Sequence, residues 1–225
     1  MFFLRQELDF SPLRDTHIFA PNVVLGSKDI TEVKSGDVVI GGKADSEATA
    51  IFNSIDVKYF NMLEDEIFQA SNARLTAEGT LNLILSHSFI SLDRLKVLVI
   101  GFGRTGAATV SLLKDVGVLS ITVATTASSR PALAFCNNVI PATDFNFAPY
   151  DVVINTVPQQ IIDDKEILTF SPSAVYIDLA SKPALSLNFA KYLGLDADIY
   201  PALPAKTATI SAAEAIADYV KGVLK

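Results

Sequence analysis

The chain contains the stretch Lys96-Val97-Leu98-Val99-Ile100-Gly101-Phe102-Gly103-Arg104-Thr105-Gly106, which decides the fold. Its first five residues are mostly apolar and β-branched, and such a run is typical of a buried parallel strand. Glycines with the spacing G-x-G-x-x-G follow, and residues 104–116 are predicted to form a helix. A strand that leads directly into a glycine-rich turn and then into a helix predicts a dinucleotide-binding site.

Each glycine of this turn has its own predicted role. Gly101 permits the tight turn, Gly103 lets backbone N–H groups approach a diphosphate, and Gly106 lets the helix pack close to the strand. The helix N-terminus is expected to face the diphosphate with its partial positive charge. The predicted cofactor site also includes the residues between the glycines, Phe102, Arg104 and Thr105. For Arg104, a phosphate contact and a solvated arginine in the first turn are the two alternatives.

Strand signals continue after this turn. Further strands are predicted over residues 120–124, 138–140, 151–156, 174–179 and 198–200. Helical or loop segments separate them, and this alternation is typical of an α/β fold with a parallel sheet. We therefore predict a Rossmann doubly wound parallel sheet that forms an NAD(P)-binding domain over residues 95–208.

The remaining segments predict a smaller N-terminal α/β domain, residues 1–75, on the substrate side. Its expected strands and helix are residues 23–25, 37–40, 46–55 (the helix) and 57–60. Residues 76–94 are predicted to be an interdomain helix and linker, with the helix over 76–86. Residues 209–225 are expected to form a C-terminal helix that packs back to the interdomain junction.

The segment that follows the second Rossmann strand favours NADP. NAD-specific sites usually place an acid there to hold the ribose hydroxyls, but none occurs between Asp115 and Asp144. The segment offers hydroxyl groups and one arginine, which pairs with a phosphate through two parallel hydrogen bonds. The predicted contacts are Thr125, Thr126, Ser128, Ser129 and Arg130. NAD is the alternative cofactor.

Polar residues also follow the later strands at their carboxyl ends, where ligands bind in such sheets. Near the ribose and nicotinamide we expect Asn155, Thr156, Val157 and Pro158. The catalytic candidates are Asp178, Ser181, Lys182 and Lys206. For each of the two lysines, the alternative to a role in the site is an ordinary charged residue on the surface. An aspartate is too acidic in water to act as a general base near pH 7, so Asp178 is expected to orient Lys182 or its loop.

Composition excludes several classes of function. The net charge of −7 disfavours non-specific nucleic-acid binding. Cys136 is the only cysteine, so neither an intrachain disulfide nor a thiolate metal cluster is expected, and no metal site is predicted. The chain lacks an apolar run of roughly 20 residues, so a soluble cytoplasmic protein is expected. The only histidines, His17 and His87, precede the Rossmann domain, whereas 2-hydroxy acid dehydrogenases commonly use a late histidine as proton donor.

Several strings resemble the family of the dipicolinate synthase A subunits, and the resemblance runs from about Val38 to the C-terminus. Beside the glycine turn, the strings are Thr76-Ala77-Glu78-Gly79, Ile154-Asn155-Thr156-Val157-Pro158, Ile177-Asp178-Leu179-Ala180-Ser181-Lys182-Pro183 and Leu203-Pro204-Ala205-Lys206. The glycine turn is generic, whereas the D-L-A-S-K-P and L-P-x-K strings are much more specific.

The resemblance implies an oxidoreductase that oxidises a dihydrodipicolinate-type dicarboxylate to dipicolinate with a nicotinamide cofactor. It implies two α/β domains with a cleft between them and, in spore-forming bacteria, a partner that is a flavoprotein-like B subunit. Lys206 and Lys182 are the cations supported by both position and resemblance, and Arg74 is a weaker candidate. Ser181 is expected to donate a hydrogen bond to a substrate carboxylate. A homo-oligomer stays open, and neither nucleic acid nor membrane is expected as a partner.

Three departures from the family concern the substrate side. The chain is shorter than the family's usual length, with the shortfall at the N-terminus, so a diverged member is expected. Ala205 replaces the usual glycine of the L-P-G-K string, and Ile210 replaces a second lysine. Two alternatives therefore stay open: an NADP-dependent reductase of another small carboxylate, and a non-catalytic NAD(P)-binding partner subunit.

Overall fold

The structure, a computed structural model, describes residues 15–126 and 135–225. The chain divides into two compact units. The smaller unit combines the chain up to Gln69 with Ala213–Lys225, and the larger unit is Ala70–Ala212. Each unit contains a parallel sheet of its own. The domain boundaries expected from the sequence remain a prediction.

The smaller unit is an α/β layer around three parallel strands. Its elements are β1 Thr16–Ile18, β2 Val38–Gly41, α1 Ser46–Ser54 and β3 Lys58–Asn61. The strand order is β1-β2-β3. Helix α1 begins where it does because the carboxylate of Asp45 accepts a hydrogen bond of 2.8 Å from the backbone N–H of Ala48.

The strand expected over residues 23–25 is wrong. This segment is a turn in which only Leu25 makes a bridge, to Ala44, and only Leu25 is buried. Val24 is 61% exposed, so the apolar run does not occupy a sheet. The first strand of the sheet is instead β1, whose pattern is too short and too polar to predict a strand.

The rest of the chain supplies the larger unit and a C-terminal helix. Its elements are α2 Glu66–His87, β4 Lys96–Ile100, α3 Arg104–Asp115, β5 Ser120–Thr125, β6 Asn138–Pro141, β7 Val152–Asn155, α4 Asp164–Ile167, β8 Val175–Asp178, α5 Leu187–Tyr192, β9 Asp196–Ile199, α6 Leu203–Thr207 and α7 Thr209–Val223. Helix α2 begins well before residue 76, because Asp65 accepts a hydrogen bond of 2.7 Å from the backbone N–H of Phe68.

The sheet of the larger unit has six parallel strands in the order β6-β5-β4-β7-β8-β9. This is the 3-2-1-4-5-6 order of the Rossmann fold, so the predicted doubly wound α/β class is confirmed. The order reverses between β4 and β7. The carboxyl ends of these two strands therefore border the crevice in which sheets of this type bind their ligands.

Both faces of the six-stranded sheet are buried. Along β4, Val97 and Val99 pack into the apolar core of one face, and Leu98 and Ile100 into the core of the other. This double burial explains the continuous apolar run at β4. The smaller unit has its own core, in which Val220 of α7 packs with apolar residues of the sheet and the segment after it.

Candidate active site

The turn after β4 requires glycine at its first position. Gly101 has a φ of +94°, a left-handed conformation that side chains rarely adopt. A Cβ atom there would lie 2.4 Å from Oγ1 of Thr156. That hydroxyl donates a hydrogen bond of 2.9 Å to the carbonyl oxygen of Ile100, and the backbone N–H of Thr156 donates to the same oxygen. Thr156 thus fixes the end of β4 and fills the space beside Gly101.

The other two glycines have different surroundings. Gly106 is buried, and a Cβ atom there would lie 2.3 Å from the carbonyl oxygen of Gly101, so α3 packs against the turn at backbone distance. Gly103 is exposed and precedes α3, and a Cβ atom there would meet no atom within 4 Å. No side chain caps this end of α3. Open space in front of backbone N–H groups at a helix N-terminus fits the diphosphate of a dinucleotide.

The remaining residues of the predicted cofactor site are distributed along the same edge. Phe102 packs partly buried against the core, Arg104 is exposed and Thr105 is half-buried. Thr125 ends β5 and is half-buried, and Thr126 is exposed. Three predicted contacts of the 2′-phosphate lie outside the described residues: Ser128, Ser129 and Arg130.

Asn155 lies at the end of β7, as expected, but its side chain binds the protein's own atoms. It is fully buried, and its amide group donates hydrogen bonds to the carbonyl oxygen of Val157 at 2.9 Å and to the carboxylate of Asp178 at 3.0 Å. Its side-chain oxygen accepts the backbone N–H of Val157 at 3.0 Å. Asn155 therefore fixes the start of the loop that contains the exposed Pro158.

Asp178 is a fully buried carboxylate with four hydrogen-bond donors around it. Besides Asn155, the donors are the hydroxyl of Tyr176 at 2.5 Å and the backbone N–H groups of Ala180 and Ala184, both at 2.9 Å. Burial, and then the Asp178 carboxylate, raise the pKa of Tyr176, which therefore acts as a donor. Since both backbone donors lie in the loop after β8, Asp178 fixes the conformation of that loop.

The loop fixed by Asp178 contains two of the predicted catalytic residues. Ser181 and Lys182 are both exposed and follow β8 at its carboxyl end. Lys206 lies on α6, after β9, and is exposed as well. The structure therefore places all three on the segments after the carboxyl ends of β8 and β9, which is the ligand-binding edge of the sheet.

Lys206 lines a cleft within the larger unit. The cleft has a volume of about 350 Å³, and its other lining residues are Glu78, Gly79, Asn82, Thr207 and Ala208. Two of the strings that carry the family resemblance, T-A-E-G on α2 and L-P-x-K on α6, thus meet at one place. Gly79 permits this meeting, because a Cβ atom there would lie 2.7 Å from Oγ1 of Thr207.

Arg74, the weaker cation candidate, has a partner four residues further along α2. Its guanidinium group lies 2.6 Å from the carboxylate of Glu78. Sequence reasoning did not single out Glu78, Asn82 or Tyr176. The only signal for Tyr176 is a tyrosine in an otherwise aliphatic strand, two residues before Asp178 and hence on the same face.

His87 contacts residues at both ends of β9. Its Nδ1 lies 2.9 Å from the carboxylate of Asp196, which opens β9 at the amino end of the strand. Its Nε2 lies 3.4 Å from the hydroxyl of Tyr200. These contacts connect α2 to β9 and support a structural role. Within residues 15–126 and 135–225, no group of three or more acidic, histidine or cysteine side chains is arranged to hold a metal ion.

Comparison with known proteins finds a relative that extends over most of the chain. The A subunit of dipicolinate synthase from Bacillus subtilis (strain 168) is 24% identical over 215 residues, which cover 90% of this chain and 69% of the relative. The crystal structure of the dipicolinate synthase A chain from Bacillus subtilis matches with a TM-score of 0.80 at 21% identity, covering 93% of this chain and 77% of that chain. The chain is thus similar to the A subunit of dipicolinate synthase over most of its length and shares its fold.

Dehydrogenases share this fold at lower identity. The NAD-dependent formate dehydrogenase from Staphylococcus aureus, solved in complex with NAD, matches with a TM-score of 0.59 at 13% identity. The match covers 93% of this chain and 78% of that chain. This chain therefore has the fold of NAD(P)-binding oxidoreductases. No family model matches the chain. Among the described residues, no helix has both the length and the apolar character needed to cross a membrane.

Proposed function

We propose that the chain is an NAD(P)-dependent oxidoreductase that oxidises a dihydrodipicolinate-type dicarboxylate to dipicolinate. The observation that carries this proposal is the open space at Gly103, in front of α3 and at the point where the strand order reverses. A nicotinamide cofactor supplies a hydride acceptor when it is bound. The similarity to the A subunit of dipicolinate synthase supports the substrate class.

The chain's own residues would hold the cofactor in the following way. Backbone N–H groups at the start of α3 donate to the diphosphate, and Gly103 leaves the space for it. Thr125, Thr126 and Arg130 lie on the segment that would contact the adenosine ribose and its 2′-phosphate. Because that segment contains no acid, we propose NADP as the preferred cofactor, with NAD as the alternative.

The substrate side would depend on cations, because a dicarboxylate buried without partners is very costly. Lys206 and Lys182 are proposed to bind substrate carboxylates, and Ser181 to donate a hydrogen bond to one of them. Asp178 is proposed to act through its loop rather than by proton transfer, because its four hydrogen bonds connect it to β7, to β8 and to that loop.

The relative is named as one subunit of a synthase, and this supports a partner for this chain as well. We propose that the partner is a flavoprotein-like B subunit, which the family resemblance implies. We propose that the protein is soluble and located in the cytoplasm. Co-purification of the chain with a candidate B subunit encoded beside it would test the partnership.

The test of the reaction is an assay with freshly generated dihydrodipicolinate and either NADP or NAD. The proposal predicts formation of the reduced nicotinamide together with aromatic dipicolinate, in equal amounts. A variant with Lys206→Met should lose turnover while it keeps NADPH affinity. If the parent binds NADPH but converts no dihydrodipicolinate, the reaction assigned here is wrong.

A second candidate function is an NADP-dependent reductase of another small carboxylate, and a non-catalytic NAD(P)-binding partner subunit is the third. Ala205 and Ile210, which replace a glycine and a lysine of the family pattern, favour a changed substrate side. Ile210 is 76% exposed, so no buried contact accounts for an apolar residue there. Oxidation of NADPH by a panel of small oxo- and imino-carboxylates would distinguish the second candidate from the third.

A further inference from the structure

Asp178 carries a negative charge in the interior of the larger unit, where its side chain is fully buried. Its Oδ1 accepts hydrogen bonds from the amide of Asn155 at 3.0 Å and from the backbone N–H of Ala180 at 2.9 Å. Its Oδ2 accepts from the hydroxyl of Tyr176 at 2.5 Å and from the backbone N–H of Ala184 at 2.9 Å. Each oxygen thus faces two donors, which is the arrangement that an ionised carboxylate requires.

No cation neutralises this charge within the part of the chain that the structure describes. Asp37 and Asp178 are the buried charged residues of that part. Asp37 lies 2.8 Å from Nε2 of His17, whereas no lysine, arginine or histidine nitrogen of the described residues lies within 4.0 Å of Asp178. Because water and salt screen a buried charge much less than an exposed one, the field of Asp178 extends to groups that it does not touch.

The charge lies on the side of the crevice where the nicotinamide ring is proposed to bind. The diphosphate is proposed to bind at the glycine turn after β4, and the segment after β5 to contact the adenosine half. The nicotinamide half then extends the other way, across the carboxyl ends of β7 and β8. Asn155 and Asp178 end these two strands and are paired in register. Asp178 is therefore two strand spacings, or about 10 Å, from the end of β4.

We propose that the charge of Asp178 makes this site select the oxidised form of its nicotinamide cofactor. The nicotinamide ring of NADP⁺ or NAD⁺ is a cation, and the ring of the reduced form is neutral. A fixed anion nearby favours the charged form of a group over its neutral form. The inference rests on the proposed function, because it names the oxidation state of the cofactor that the proposed site prefers.

This preference fits an enzyme that takes up the oxidised cofactor and releases the reduced one. Tighter binding of the oxidised form also makes the bound cofactor a weaker hydride acceptor. Formation of an aromatic ring in the proposed product offsets that loss, since it favours removal of the hydride from the substrate. The same charge repels a dicarboxylate. Lys182 and Lys206, both exposed on the segments after β8 and β9, are the cations proposed to compensate for this repulsion.

Calorimetric titration of the full chain with NADP⁺ and NADPH, and then with NAD⁺ and NADH, tests the proposal without any turnover. We expect the parent to bind the oxidised form at least as tightly as the reduced form. Asp178→Asn removes the charge and keeps the size of the side chain. It should shift the ratio of the two affinities toward the reduced form by at least about fivefold, as the loss of an attraction between charges about 10 Å apart implies.

Two further variants separate the charge from the fixing of the loop. Tyr176→Phe removes one of the hydrogen bonds that hold the network but keeps the carboxylate, so the ratio should stay that of the parent even if both affinities fall. Asp93→Asn is the matched control, because Asp93 is an exposed aspartate in the short helical turn before β4. It should leave the ratio unchanged. Circular dichroism and unfolding in urea show whether each variant is folded.

The outcomes distinguish this inference from the proposed function. If folded Asp178→Asn keeps the parent's ratio, or if Tyr176→Phe shifts the ratio as far as Asp178→Asn does, the charge does not select the oxidation state, and the oxidoreductase function stands. If Asp178→Asn does not fold, the parent decides, and tighter binding of the reduced form contradicts the inference. If the parent binds none of the four cofactors, the inference and the proposed function fail together.

Discussion

The hydroxyl of Tyr176 donates a hydrogen bond of 2.5 Å to the carboxylate of Asp178, which lies two residues further along β8. Both side chains are buried. Tyr176→Phe removes one of four donors from a buried carboxylate, and a hydrogen bond to a charged group contributes about 1.5–3 kcal/mol. We expect the free energy of unfolding in urea to fall by that amount.

The matched control is Tyr192→Phe, since Tyr192 is 84% exposed. The urea concentration at the midpoint of unfolding should be the same for Tyr192→Phe as for the parent. A Tyr176→Phe midpoint that also equals the parent's would mean that the hydroxyl contributes nothing, and the fixing of the loop would then depend on Asn155 and the backbone donors.

Gly103 and Gly106 should respond in opposite ways to the same substitution. Gly106→Ala places a methyl group 2.3 Å from a carbonyl oxygen and should cost about 1–3 kcal/mol of stability through overpacking. Gly103→Ala meets open space and should cost no more than about 1 kcal/mol, the usual loss for alanine at an N-cap. It should nevertheless weaken NADPH binding at least about tenfold, because its methyl group occupies the place of the diphosphate.

Denaturation and NADPH titration, carried out on both variants, check this pair. If a folded Gly103→Ala protein binds NADPH as tightly as the parent, the diphosphate does not bind at Gly103. A stable Gly106→Ala protein would show that α3 can move away from the turn.

The preference for NADPH over NADH should depend on Arg130. Titration of the parent with both cofactors should show tighter binding of NADPH, and Arg130→Ala should reduce the difference. The loss of one charge-assisted contact to the 2′-phosphate amounts to about 1.5–3 kcal/mol. The control is Arg94→Ala. Arg94 lies in the short helical turn before β4, at the end of that strand opposite the glycine turn. Equal affinities of the parent for the two cofactors would contradict the assignment of NADP.

Lys206 should be essential for binding a dicarboxylate but not for binding the cofactor. Lys206→Ala is expected to abolish detectable binding of pyridine-2,6-dicarboxylate and to leave NADPH affinity nearly unchanged. Lys221→Ala is a suitable control, because Lys221 is an exposed lysine on α7 that pairs with Asp218. If Lys206→Ala still binds pyridine-2,6-dicarboxylate, Lys206 does not bind the carboxylate, and Lys182 is the next residue to substitute.

Asp37 should make the smaller unit sensitive to acid. Its carboxylate accepts hydrogen bonds from the backbone N–H of Lys34 and from His17, which hold the pKa of Asp37 below its ordinary value of 3.8. A depressed pKa contributes stability that is present above pH 3.8 and is lost as the pH falls through the folded-state pKa. Asp37→Asn should therefore be less stable than the parent at neutral pH, and the difference should narrow below about pH 4. Urea midpoints measured from pH 3 to 7 provide the check, and a difference independent of pH would contradict it.

Much of the fold was predictable because local signals agree with the tertiary arrangement. The bounds predicted for β4 match the observed strand, since its apolar run ends at a glycine that the turn requires. At residues 23–25 the local signal fails. An apolar run there places only Leu25 in the core and leaves its neighbours in solvent, which no local pattern reveals.

The positions of the candidate site residues at the strand ends could be predicted from the sequence, but the hydrogen bonds between them could not. Asn155 and Asp178 were placed correctly at the ends of their strands, yet their hydrogen bond follows from the register that sets them opposite each other in β7 and β8. Register between strands far apart in the chain is decided by packing of the whole sheet. The meeting of Glu78 with Lys206 likewise depends on how two helices pack.

The close approach of α2 and α6 at Gly79 determines how wide the neighbouring cleft is. The missing side chain sets the distance between the helices, because even one methyl group would force Thr207 to move. The size of molecule that this cleft admits is thus decided at a residue that offers no functional group to a ligand. Enlargement of that residue in a diverging lineage would change which molecules fit, while every charged group of the cleft stayed the same.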